Sequence, residues 1–124
     1  MESKEVVVMN LREIDRLIAE KVMGWVQGEY AKDKWYYKKN GQIEGMAKFI
    51  NDWNPSTNIA DAWQVVEKLR KDNIMIDITP SETVYFASVR HQGKGYIARS
   101  IKAETAPFAI CLVALKACGI DVEV

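Results

Sequence analysis

The stretch Thr105–Gly119, TAPFAICLVALKACG, carries no charge from Thr105 to Leu115, so a helix there must be covered almost all round. The Thr105 hydroxyl can cap its first turn, and Glu104 sits favourably beside the positive helix end. Pro107 is tolerated because a first-turn amide has no intrahelical partner to lose. Phe108, Cys111, Leu112, Leu115 and Cys118 fall on one stripe, with Ile110, Val113 and Ala117 beside or opposite it. Gly119 offers a left-handed cap, and Ile120 is placed to fold back on the last turn. At roughly 15 residues the segment is too short to span a bilayer. It reads as a core helix, and the rest of the chain is arranged around it.

Working outward, a chain of 124 residues is one domain, 1–124, large enough to bury a core without staples. Its 17 basic and 17 acidic residues balance, so net charge gives no strong attraction to nucleic acid or to an anionic membrane. No leader, lipidation motif or membrane-length apolar run is evident, and a cytoplasmic location in a bacterial host is the expectation. The only cysteines, Cys111 and Cys118, lie on one helix with Cα atoms ~10.5 Å apart, beyond disulfide reach, and read as small core residues. With the single histidine His91 they make no metal-ligand pattern, so neither metal nor cofactor is expected.

Upstream, Val6-Val7-Val8 suits a short strand or a packed arm. Asn10 with Glu13 forms an Asx capping box for a helix running to about Met23. Its apolar stripe is Leu11, Ile14, Leu17, Ile18 and Val22, with Asp15 among the residues placed outside. Gly24 ends it and Trp25 follows as an anchor. Residues 26–55 are rich in lysine and aromatics, and Asn40-Gly41 marks a hairpin expected to cover a sheet edge. A second helix starts at Ser56, Thr57 or Asn58, carries Ile59, Ala62, Trp63, Val66 and Leu69 on its apolar side, and stops at Asn73. The period then changes to two. Ile74 to Thr79, Thr83 to Arg90 and Tyr96 to Ile101 read as three antiparallel strands, the middle one apolar on both faces and wanting cover on both. The fold class expected is α+β, an antiparallel meander sandwiched between helices in α-β-α layers.

The blocks EIDRLIAEKVMGW, PSTNIADAWQVVEKL and AETAPFAICLVALKACGI resemble the phage ABA-sandwich domain family of small phage and prophage proteins. The matching residues are Ile14 to Trp25, Pro55 to Leu69 and Ala103 to Ile120. The resemblance implies the layered fold and a phage or prophage origin, and it brings no catalytic residues. The stretch Val26 to Trp53 departs from the family pattern, so any role it has is not inherited.

Catalytic patterns are missing: there is no phosphate-binding glycine loop, nucleophile elbow or metal-ligand spacing, and no enzyme activity is expected. Asp61 reads as a helix-start charge rather than a base, and His91 as a polar loop residue. Local charge says more. From Ser88 to Lys102 the chain holds Arg90, Lys94, Arg99 and Lys102 and no acid. Arg90 and Lys94 flank a glycine loop, and Tyr96 and Arg99 follow it. Loop amides, cations and an aromatic face suit a phosphate-bearing nucleotide, with Trp35, Tyr37 or Tyr96 stacking its base. The same cations also serve to blunt a sheet edge. The leading expectation is a non-catalytic binding protein that captures a host nucleotide signal and so blunts a defence system. The alternative is a module that binds a host or phage protein through the aromatics of 26–55. Self-association to a homo-oligomer is compatible with either.

Overall fold

The computed structural model describes residues 6–8 and 10–123, and its helices pack with three separate sheets, two of them three-stranded. In chain order they are β1 (Val6–Val8), α1 (Leu11–Leu17) continued by a π-helical turn (Ile18–Val22), β2 (Val26–Gln27), β3 (Lys34–Lys39) and β4 (Gln42–Phe49). A short 3-10 turn then leads to α2 (Ile59–Lys71), β5 (Ile74–Pro80), β6 (Tyr85–His91), β7 (Gly95–Ala103), α3 (Ala106–Ala117) and β8 (Asp121–Glu123). The chain is an α+β sandwich with the element order expected from the sequence, from α1 through the hairpin insert, α2 and three strands to α3.

The caps explain the helix limits. The Asn10 side chain accepts from the Glu13 amide at 2.9 Å, Asn58 from the Asp61 amide at 2.9 Å, and Thr105 from the Phe108 amide at 3.3 Å. Asn73 takes a left-handed φ of 64° just past α2, and Gly119 one of 83° just past α3. The Ile120 amide then returns to the Leu115 carbonyl at 2.9 Å, closing the end of α3.

Helix α3 lies at the middle of the molecule. It touches β5, β6 and β7 as well as α2, the π-helical turn and β8. Ile110, Cys111, Ala114 and Leu115 join a core with α1, α2 and three tryptophans, while Ala109 and Val113 join Ala87, Val89 and Ala103 of the meander. An apolar helix therefore bridges two cores, which is why it carries no charge before Lys116 in its last turn.

The meander β5–β6–β7 is antiparallel, pairing Ile76 with Val89 and Ala87 with Ile101. Alternation sends Ile74, Ile76, Ile78, Ala87, Val89, Ala98 and Ile101 toward α3, and puts Met75, Asp77, Phe86, Ser88, Arg90 and Tyr96 on the other face. On that outer face Phe86 stands outside both cores and stays half-buried, so it takes less cover than two apolar faces suggest.

Several local expectations change, and Cys118, read as a core residue, is exposed while Cys111 is buried. Asp15, placed outside by periodicity, is buried, because it serves the loop ahead of α2. The 26–55 insert does form its hairpin, but β3 pairs with both β2 and β4 in a sheet of their own, which covers helices rather than the meander edge. On α2 the core side is Ala62, Val65, Val66 and Leu69, leaving Ile59 and Trp63 exposed. Finally, the Val6–Val8 run is a strand, and it pairs in parallel with β8, an element not expected from the sequence.

Candidate functional site

The cationic residues of the meander hairpin do come together. Arg90 and Tyr96 are cross-strand partners on β6 and β7, on the outer face of the sheet. The register slips on β7 between Ile101 and Ala98, where Ser100 adopts a φ of 55° and its amide donates to Ser88 Oγ at 2.9 Å. That bulge puts Arg99 over Tyr96, its guanidinium carbon 4.3 Å from the ring centroid. Arg90 Nε donates to Asp77 Oδ2 at 3.3 Å, so one carboxylate from β5 partly balances the cluster. Lys94 stands in the turn between Gly93 and Gly95, whose φ values of 80° and 100° make the tight reversal. The face is exposed and shallow, and four cations (Arg90, Lys94, Arg99 and Lys102) share it or its turn with Asp77.

The two aromatics proposed on the insert do not join this cluster, since Trp35 and Tyr37 belong to the β2–β3–β4 sheet. Trp35 cannot stack a ligand. It is 1% exposed and packs in the core beside Ile14, Ile18 and Trp53, because strand alternation turns it inward while Lys34 and Tyr36 face out. Tyr37 points the same way as Trp35, but at the end of the sheet, where half of it remains exposed. Trp25 meets its ring edge-on at 6.1 Å and 90°, and Trp25 in turn lies 4.7 Å from Trp53.

A polar seam escaped the sequence reading. Asp15 Oδ1 accepts from the Ser56 amide at 2.8 Å, and Asp61 Oδ2 accepts from the Asn54 amide at 2.9 Å. Arg12 reaches the Ile50 carbonyl at 3.0 Å and the Asn54 side chain, and Lys48 Nζ pairs with Asp61 Oδ1 at 3.2 Å. Burial pushes the Asp15 carboxyl above its ordinary value, against the opposing pull of the Ser56 hydrogen bonds and the Arg12 charge. These groups tie α1, the insert and the start of α2 to one another, and their carboxylates are already satisfied. The signal was faint: Arg12 and Asp15 are separated by one helical turn, and their partners lie about 40 residues away.

No described helix is long and apolar enough to cross a membrane. The layers and caps define a small α+β sandwich built on one apolar helix. Residues 16–115 match the model of the phage ABA sandwich domain, and the chain belongs to that family. It is also similar to a phage protein from Bacillus cereus ATCC 14579 known from a 2.0 Å crystal structure. The two share 32% identity over 94% of this chain and 97% of the other, with a TM-score of 0.61. No curated protein matches the chain.

Proposed function

We propose that this phage protein is a non-catalytic binding protein that captures a nucleotide-type small molecule in the host cytoplasm and so blunts a defence signal. The observation that supports the reading is the cluster of Arg90, Lys94, Tyr96 and Arg99 on and beside one exposed sheet face. Arg90 and Arg99 would hold phosphate oxygens, Lys94 would reach in from the turn, and the loop amides would add donors. Tyr96, braced by Arg99, would lie along a base.

Native mass spectrometry of the gently purified protein tests it, with a retained nucleotide mass as the expected result. Arg90→Ala combined with Arg99→Ala should weaken binding at least about tenfold, since charge-assisted contacts contribute roughly 1.5–3 kcal/mol each. Binding untouched by the double substitution would remove the site assignment.

A second reading is favoured by the outer side of the insert. Ile43, Met46 and Phe49 of β4 are exposed there, and Tyr30 stands almost wholly in solvent. This is the apolar surface that a host or phage protein would cover. Salt separates the two readings. A phosphate site weakens clearly as ionic strength rises, whereas an apolar interface does not.

A further inference from the structure

We infer that the cleft between α2 and the end of the insert sheet, walled by Tyr37 and Trp63, binds a planar aromatic ring that carries an anionic group. The cleft holds about 380 Å³ and is lined by Met23, Trp25, Tyr37, Trp63, Lys68 and Lys71, together with Gln64 and Glu67. That volume lies in the range of roughly 300–1,000 Å³ common for small-molecule sites.

Three observations define the occupant. The first is Trp63. Of the four tryptophans, Trp25, Trp35 and Trp53 are 6%, 1% and 0% exposed, while Trp63 is 54% exposed. The core side of α2 is filled by Ala62, Val65, Val66 and Leu69, so nothing in this chain's packing requires an indole at position 63. The second is the opposite wall. Tyr37 is held edge-on by Trp25, which is itself wedged against buried Trp53. One ring is therefore fixed in advance, and ordering it on binding costs little. The third is charge. Glu67, the cleft's own carboxylate, is held by Arg70 through bonds of 3.0 and 3.2 Å. Lys68 pairs with Asp72 at 3.3 Å, and Lys71 has no ion-pair partner among the described residues. Two aromatic walls select a planar ring, and the uncompensated Lys71 selects an anion attached to it. A nucleoside monophosphate has both parts. The site rests on the reading of this chain as a captor of nucleotide-type ligands, but it uses no residue of the β6–β7 hairpin.

Adenosine 5′-monophosphate is titrated into the whole protein, followed by tryptophan emission and by calorimetry on the same samples. Trp63 is the solvent-facing indole, so a ring stacked on it should change emission saturably. Tyr37→Leu and Lys71→Glu should each weaken the emission titration by roughly 5- to 100-fold, the span of one stacked ring or one charge-assisted contact. Adenosine without its phosphate should bind the wild-type protein clearly more weakly than the nucleotide does. Arg90→Ala with Arg99→Ala should leave the emission curve where it was. Trp63→Phe should abolish the emission change and keep calorimetric binding, because a ring still stands there.

An emission change abolished by the Arg90/Arg99 pair and indifferent to Lys71→Glu would overturn the cleft and leave the hairpin reading intact. Equal binding of adenosine and its monophosphate would overturn the anionic part. No saturable emission change and no heat with any protein would sink both the cleft and the nucleotide reading. Calorimetric binding unaffected by the Arg90/Arg99 pair, with a normal emission curve, would sink the hairpin site alone.

Discussion

Asp15 shows how a single side chain can be misread from periodicity and still explain a fold. Helical spacing puts it on the wet side of α1, with Arg12 and Arg16. It is 3% exposed instead, because the Ser56 amide at the loop before α2 needs an acceptor that this loop cannot provide locally. Burial raises its carboxyl above the unfolded value near 3.8, so the folded chain binds its proton more tightly than the unfolded one does. The sign follows directly. Asp15's contribution to stability is fully present below the unfolded value and is lost as pH rises through the raised folded value. Urea midpoints of the wild type, measured upward from about pH 4, should therefore lose that contribution through the window above the ordinary carboxylate value. Asp15→Asn keeps an acceptor for Ser56 and has no proton to lose, so its curve should be flatter there. Parallel curves for the two proteins would show that Asp15 does not set this slope.

At the scale of elements, local chemistry was legible and long-range pairing was not. Asn10, Asn58, Thr105 and Gly119 are caps whose partners lie within a few residues, and each sits where the sequence put it, Asn58 being one of three candidates for its helix. The hairpin at Asn40-Gly41 was legible for the same reason, with both residues at positive φ. Which sheet the hairpin joins depends on contacts with β2 and on tryptophans far away in sequence, and no local spacing encodes that. Trp63 illustrates the limit. At three- and four-residue spacing it matches the apolar stripe of α2, but Val65 takes the place in the core that the pattern offered Trp63. Gly28 is a further case, invisible to pattern reading. It is buried just after β2, and its amide donates to the Lys34 carbonyl at 3.1 Å. An added methyl would collide with the Ala31 carbonyl oxygen and stand 2.7 Å from the Tyr36 ring. The oxygen is backbone, so the loop itself would have to shift. Gly28→Ala should lower stability by about 1–3 kcal/mol, as overpacking does. An unchanged urea midpoint would mean that this turn yields more easily than its contacts suggest.

For the whole molecule, the question is whether the insert is an appendage or part of the core. Its separate hydrogen-bonded sheet argues for an appendage. Packing argues the other way. Trp35 from β3 and Trp53 from the turn after β4 are fully buried, and they share one cluster with Ile14 and Ile18, with Val65 of α2 and with Leu115 of α3. The charged seam adds to this, since Lys48 of β4 meets Asp61 of α2 and Arg12 of α1 reaches the Ile50 carbonyl. Removing a buried indole of this kind costs about 3–5 kcal/mol, a large share of the 5–15 kcal/mol that keeps a domain folded. If the insert is core, Trp35→Ala should destabilise the entire chain by that amount. Far-ultraviolet dichroism, which reports helices, and tryptophan emission, which reports the insert's indoles with Trp25 and Trp63, should then still move through one coincident transition in urea. If the insert is an appendage, Trp35→Ala should give two steps, with emission changing at lower urea while the helices hold. The shared cluster predicts one step, because α1, α2 and α3 cannot keep their apolar faces covered once Trp35 and Trp53 leave.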